Sequence, residues 1–196
     1  MINLMNKLFL FIVAVALFSC NSNNSIKSNK LDPKIEDSIT TIISKMSIEE
    51  KVGQTCQITL DAILLKDSTN TLVEPHQIDE NKLDKAIVEY NVGSVLNVSN
   101  HTFSLNKWNS IIKDIQAVAL KTNHKIPVIY GVDAIHGATY IQNSTLFPQE
   151  IGLAATWDIS HARKMAEITA YETRASGVPW NFSPVLDLGR KPIWSR

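Results

Sequence analysis

The chain has 196 residues, 44% of them hydrophobic, with 19 basic side chains against 19 acidic ones. This is ordinary globular composition with balanced charge; removing Lys7 with the leader described next leaves 18 against 19. No basic stripe or charge block is present, which argues against nucleic acid and against a broadly acidic partner.

Met1–Ser19 reads as a targeting segment outside the fold. Lys7 gives the positive start, and Leu8–Phe18 is an apolar run of about a dozen residues, too short to span a bilayer comfortably. Leu17-Phe18-Ser19-Cys20 resembles a bacterial lipobox, in which a small residue precedes the cysteine that is lipidated and becomes the new N-terminus. The expectation is a lipoprotein of the bacterial cell envelope, anchored through Cys20 in the periplasm or at the outer-membrane surface. An ordinary secretory signal with an incidental cysteine is the alternative. Residues 20–30 then form a polar tether, and residues 31–196 the domain. With Cys20 lipidated only Cys56 remains, so no intramolecular disulfide is expected.

Apolar positions at Ile35, Ile39, Ile42, Ile43 and Met46 have helical spacing around Asp37–Lys45. Ser47-Ile48-Glu49-Glu50 is a capping box opening a short helix through Gln54, near Gly53. Residues 55–76 are polar and irregular and predict a surface excursion around Lys66–Asn70. Asp79–Tyr90 predicts a third helix, with Leu83, Ile87 and Tyr90 on one side.

From Asn91 the pattern alternates. Val92–Val98 predicts a strand, and Ser104–Leu120 a helix burying Trp108, Ile111, Ile112, Ile115, Val118 and Ala119. Pro127–Val132 predicts a second strand, Ile159–Ser176 a helix on Ala162, Met165, Ala166 and Ala170, and Asn181–Leu186 a third strand. Strand–helix alternation at roughly 35–50 residues per unit is parallel α/β construction. No glycine-rich phosphate fingerprint follows a strand, so a (β/α)8 barrel is preferred over a doubly wound sheet. A full barrel takes about 250 residues. The expectation is therefore the N-terminal part of a TIM-type barrel, incomplete, with about three βα units after a helical preface.

The apolar run Ile126–Val132 ends abruptly in Asp133, His136 and Gly137. A buried parallel strand that delivers polar groups to the barrel's C-terminal rim looks like this, and that rim holds active sites. Asp133 is therefore the first candidate functional residue, against the alternative of a solvated aspartate that ends a strand.

Several of these stretches resemble glycoside hydrolase family 3, of the β-glucosidase and exo-glucanase type. The resemblance runs from Met46–Gln54 through Val92-Gly93-Ser94-Val95-Leu96-Asn97 to Arg196. Its most specific parts are Ile126–Gly137 with Phe147-Pro148, and Asn181-Phe182-Ser183-Pro184-Val185-Leu186-Asp187 leading to Trp194-Ser195-Arg196. The leader and the Asn-Phe-Ser-Pro wording look most like periplasmic β-glucosidases of polysaccharide-degrading bacteria.

The resemblance implies two substrate-binding residues. Asp133 matches an aspartate that binds hydroxyls of glucose in the −1 subsite. Arg196 matches the arginine closing an Asp-Pro-Arg-Trp-Gly-Arg stretch that reaches the same sugar. Lys191, Ile193 and Ser195 depart from that stretch. It further implies retaining hydrolysis by an aspartate nucleophile and a glutamic acid, both downstream of Arg196. No catalytic residue is then expected within 1–196, and this piece alone is expected to be inactive. The implied substrate is a β-glucoside oligosaccharide, and no cofactor is expected.

Other polar residues have simpler roles. No metal is expected: Asp133 and His136 lie just past a strand with no further ligand cluster visible. His136 is expected to bond the loop backbone. Asp158 reads as the acid in the first turn of a helix. Glu150 and Asp187 are carboxylates without an assigned role, and Trp194 either flanks the pocket or packs. The alternatives are a non-catalytic, membrane-anchored carbohydrate-binding protein on a degenerate barrel, another barrel enzyme such as a phosphate-sugar isomerase, and a β-N-acetylhexosaminidase of the same family.

Overall fold

The computed structural model describes residues 32–186, 190, 191 and 193. The chain divides into two compact units, residues 1–41 and 42–196. Helix α1, Pro33–Lys45, starts earlier than its apolar spacing predicted. Proline suits a first helical position, where its missing N–H would have had no partner. Asp32 Oδ1 accepts from Lys34 N at 3.0 Å there. No residue of α1 is buried, and Ile35, Ile39, Ile42 and Ile43 remain exposed.

The predicted capping box opens α2, Ile48–Thr55: Ser47 Oγ accepts from Glu50 N at 3.1 Å, and Ser47 N donates to Glu50 Oε2 at 2.8 Å. Asn123 Nδ2 donates to the same carboxylate at 3.2 Å, and His124 Nε2 lies 3.1 Å from it. One glutamate thus joins the start of a helix to the loop that leads into a later strand.

Four parallel strands follow: β1 Gln57–Thr59, β2 Ser94–Leu96, β3 Ile129–Val132 and β4 Trp180–Asn181. Their order is β1-β2-β3-β4, with Val95 opposite both Ile58 and Tyr130. A doubly wound sheet reverses direction at a switch point. Here every strand pairs with its neighbour in sequence, as in a barrel wound one unit at a time.

β1 falls inside the stretch predicted to be irregular. It is three residues long, with only Ile58 partly buried, too little for a period of two to register. The buried Leu60, Ile63 and Leu64 follow it directly. Consequently the helix near residues 80–90 belongs to the first βα unit and not to a preface. It comprises α3, Glu80–Asp84, continued by a π-turn over Lys85–Glu89. Asp79 caps it, and Leu83 and Ile87 are buried as predicted, whereas Tyr90 is exposed.

Helix α4, Leu105–Ala119, is capped by Ser104 and buries Trp108, Ile111, Ile115, Val118 and Ala119. The Trp108 ring meets Phe103 and Tyr130 edge-on at 5.3 and 5.4 Å, and its Nε1 donates to Tyr140 O at 2.7 Å. Those contacts put α4 against the β2–β3 sheet and lock the loop after β3. The third unit carries α5, Glu150–Ala154, and α6, Ile159–Ala175. In α6 the buried side chains are Met165, Thr169 and Thr173, while Ala162, Ala166 and Ala170 are exposed. Hydropathy placed the alanines inward, but they line an open recess instead. β4 is shorter than the predicted 181–186 strand, and Phe182 N continues its pairing to Val132 O at 3.0 Å.

Candidate active-site rim

The chain turns polar directly after Val132, so Asp133 emerges at the C-terminal edge of β3. Asn97 occupies the same edge one strand over, just past Leu96. Its Nδ2 donates to Asp133 Oδ2 at 2.8 Å, and its Oδ1 accepts from Asp133 N at 3.0 Å. Asn97 adopts φ +43°, a left-handed conformation that asparagine tolerates better than most residues. Its backbone is held twice, by Asn97 N to Gly131 O at 2.9 Å and by Tyr130 OH to Asn97 O at 2.7 Å.

Asn181, at the end of β4, repeats the device from the other side. Its Oδ1 accepts from Ala134 N and its Nδ2 donates to Ala134 O, both at 3.0 Å. Residues 133 and 134 are therefore clamped between the ends of β2 and β4. Asp133 Oδ2 is committed to Asn97, and Oδ1 takes no hydrogen bond from any described residue. A carboxylate so oriented presents a fixed acceptor, the form in which a hydroxyl is most readily recognised.

The loop behind Asp133 is closed by His136. Its Nδ1 lies 3.0 Å from Phe147 O, and Phe147 N donates to His136 O at 2.9 Å, the backbone role expected for this histidine. Gly137 has φ +114°, and a Cβ there would strike Thr145 O, so only glycine makes this turn without strain.

Asp61, in the turn after β1, accepts from Ser99 N at 3.2 Å and from the Ser99 hydroxyl, tying the β1 and β2 ends together. Beside Asn97 lies a polar cleft of about 570 Å³, lined by Thr59, Asp61, Asn97, Ser99, His101 and Tyr140 among others. Burial pushes the Tyr140 phenol up, and the Asp133 charge adds to it, so Tyr140 stays a neutral donor at ordinary pH. Burial likewise pushes Tyr130 well up, with Asp61 and Tyr140 contributing.

A larger recess of about 740 Å³ lies along α6 and the residues after β4; Glu150 and Asp158 line it, Asp133 does not. Its walls are mainly apolar, and Asp158 is already engaged, capping α6 through Ser160 N at 2.8 Å, at the N-cap and not within the first turn as expected. Asp133 lines neither space; the polar cleft borders its partner Asn97, whereas the larger recess borders Ala134. Of the sequence candidates, Asp133 sits on this rim, whereas Cys20, Asp187, Trp194 and Arg196 lie outside the described residues. Sequence reasoning missed Asn97, Asn181 and Asp61. The signal was an asparagine or aspartate at each strand's C-terminal end, visible only once β1 and the true end of β2 are placed.

A sequentially wound parallel sheet with Asp61, Asn97, Asp133 and Asn181 gathered at its C-terminal rim defines the first part of a (β/α)8 barrel. Residues 47–196 match the glycosyl hydrolase family 3 N terminal domain, and the chain belongs to that family. It is 41% identical over 167 residues to a lysosomal beta glucosidase of Dictyostelium discoideum, covering 81% of this chain and 20% of that protein. It is 24% identical over 185 residues to a periplasmic beta-glucosidase of Salmonella typhimurium, covering 94% and 21%. Among solved structures, a beta-glucosidase from Listeria innocua in complex with glucose superposes with TM-score 0.58 at 30% identity, covering 82% of this chain and 20% of that one. The chain thus spans about a fifth of the length of these relatives.

Proposed function

We propose that the protein is a retaining, exo-acting β-glucosidase in which these residues build the first strands of the barrel and part of the glucose subsite. Asp133 accepts hydroxyl protons of the terminal sugar, and Arg196 supplies guanidinium donors to the same ring. The nucleophile and the acid/base are carried by chain beyond residue 196. The observation that carries this reading is the rim aspartate itself: fixed by Asn97 through Oδ2 and backbone N, it keeps Oδ1 clear of every described residue.

The chemistry follows from that fixed acceptor. In retaining hydrolysis one carboxylate attacks the anomeric carbon while a carboxylic acid protonates the departing oxygen, and water then resolves the glycosyl-enzyme. As the ring flattens toward the oxocarbenium ion its hydroxyls become better donors, so hydrogen bonds to Asp133 tighten in the transition state. The asparagine clamps contribute pre-organisation, because the carboxylate needs no reorientation when the sugar arrives.

Cys20 anchors the protein to the cell envelope in this reading. Among the described residues no helix is long and apolar enough to cross a membrane. A Cys20→Ala variant should move from the membrane fraction to the soluble one.

The decisive assay compares nitrophenyl β-glucoside with nitrophenyl N-acetyl-β-glucosaminide on the intact protein, with NMR of the first-formed anomer. The glucoside should be preferred and β-glucose should appear first. Preference for the glucosaminide would make it a hexosaminidase, and sugar binding without turnover would make it a binding protein.

A further inference from the structure

Two loops on the C-terminal rim bring together a side-chain cluster with no role in the sugar contacts proposed above. Glu74 and His76 lie in the long excursion between β1 and α3, and His101 in the loop between β2 and α4. They are the one group of three among the described residues whose ligand atoms lie close enough to share a metal ion, all within 4.8 Å of one another. We propose that Glu74, His76 and His101 form a divalent transition-metal site, suited to zinc, that pins the β1 and β2 rim loops together.

The geometry favours an ion over a simple salt bridge. His76 is only 5% exposed, and its Nδ1 makes no hydrogen bond. Glu74 Oε2 is 2.9 Å away, yet Nδ1 does not address it with hydrogen-bond geometry. A buried imidazole nitrogen without a partner is costly unless something else takes its lone pair. His101 Nδ1 faces the other oxygen, Oε1, at 3.6 Å. Around a tetrahedral zinc with bonds near 2.0–2.1 Å, neighbouring ligand atoms are about 3.3 Å apart. The three ligand atoms lie within 4.8 Å of one another, so the groups draw in by up to about 1.5 Å around such an ion.

The surroundings suit a metal as well. The two imidazoles lie face to face, centroids 4.3 Å apart, and both pack on Phe103, at 5.7 and 4.7 Å. Stacked rings direct their lone pairs along nearly parallel planes, so one ring turns for both to reach an ion; His101, the more exposed of the two, has the room to do so, and Glu74, 60% exposed, leaves the outer side open. Two imidazoles and one carboxylate, with no thiolate, are borderline ligands that suit zinc and its first-row neighbours rather than calcium or magnesium. Three protein ligands leave a fourth position for water.

The site also connects to the rim. His101 lies four residues after Asn97 and lines the same polar cleft, so an ion there would restrain the loop that orients Asp133. No ligand of the proposed ion binds the sugar in the reading above, so this inference stands whether or not that reading does.

The test is zinc titration of the intact, metal-stripped protein against a chromophoric chelator, with cobalt(II) absorption as a second readout. One equivalent should bind, raise Tm, and give the intense visible bands of a tetrahedral site when cobalt replaces zinc. His101→Ala and Glu74→Gln should each weaken binding by at least about 100-fold, since even outer-shell losses cost 10–100-fold. His161→Ala and Cys56→Ser, both at exposed positions away from the cluster, should bind as the parent does. Failure to bind an equivalent, or affinity unchanged in both His101→Ala and Glu74→Gln, would overturn the site. If His101→Ala fails to fold, Glu74→Gln and the cobalt spectrum of the parent decide it.

Discussion

At the scale of single residues, the rim depends on asparagines that each make two hydrogen bonds to the segment just after β3. Asn97 gives a donor to the Asp133 carboxylate and an acceptor to its N–H, and Asn181 brackets the N–H and C=O of Ala134, which is why Asp133 points one way and not several. Asp133→Asn keeps the shape and an oxygen for Asn97 but loses the charge. Hydrogen bonds to charged groups are worth about 1.5–3 kcal/mol, so kcat/KM for a β-glucoside should fall about 10- to 150-fold with Tm nearly unchanged. An unaltered kcat/KM would remove Asp133 from the subsite. Asp133 was legible in the sequence because a β-branched run ends on it. Asn97 was not, because nothing in its neighbourhood reports that residues 97 and 133 face each other across two strands. The Glu74–His76–His101 cluster was hidden for the same reason, its members being joined only by the folding of two loops.

At the scale of elements, caps and helices were read from the chain more faithfully than strands. The Ser47–Glu50 capping box was read from the chain, and Asp79, Ser104 and Asp158 cap the helices expected to start at or beside them, since capping is decided within four residues of sequence. Strands of two to four residues carry too little pattern, so β1 was missed and β4 was drawn too long. The capping glutamate also gives a pH test. Hydrogen bonds from the Ser47 backbone, then from Asn123 and His124, hold the Glu50 carboxyl below its ordinary range. A carboxyl lowered in the folded state adds stability above its unfolded value and loses it as pH falls through the folded one. Glu50→Gln keeps an acceptor but not the charge. Its urea midpoint should therefore lie below the parent's at neutral pH, and the gap should close in acid. A gap that is constant from pH 7 to pH 3 would show that the charge contributes nothing.

At the scale of the molecule, the apolar surface is unevenly spent. The core around Trp108, Tyr130 and Ile111 is fully buried, yet Trp157, Ile159 and Ile151 are almost fully exposed beside the alanine face of α6. Contiguous apolar surface of that kind is seldom left to water. β1 and β4 are also the outer strands of the described sheet, each with an edge that pairs with no described strand. Produced as these 196 residues alone, the chain should bind anilinonaphthalene sulfonate, elute above monomer mass, and leave nitrophenyl β-glucoside intact. A monomer that does not bind the dye would mean that this face is self-sufficient. The strand order has one more effect, on how the molecule comes into being. Because each strand lies beside the one made just before it, a nascent chain leaving the ribosome finds its docking partner already in place, and assembly can follow synthesis without long searches across the polypeptide.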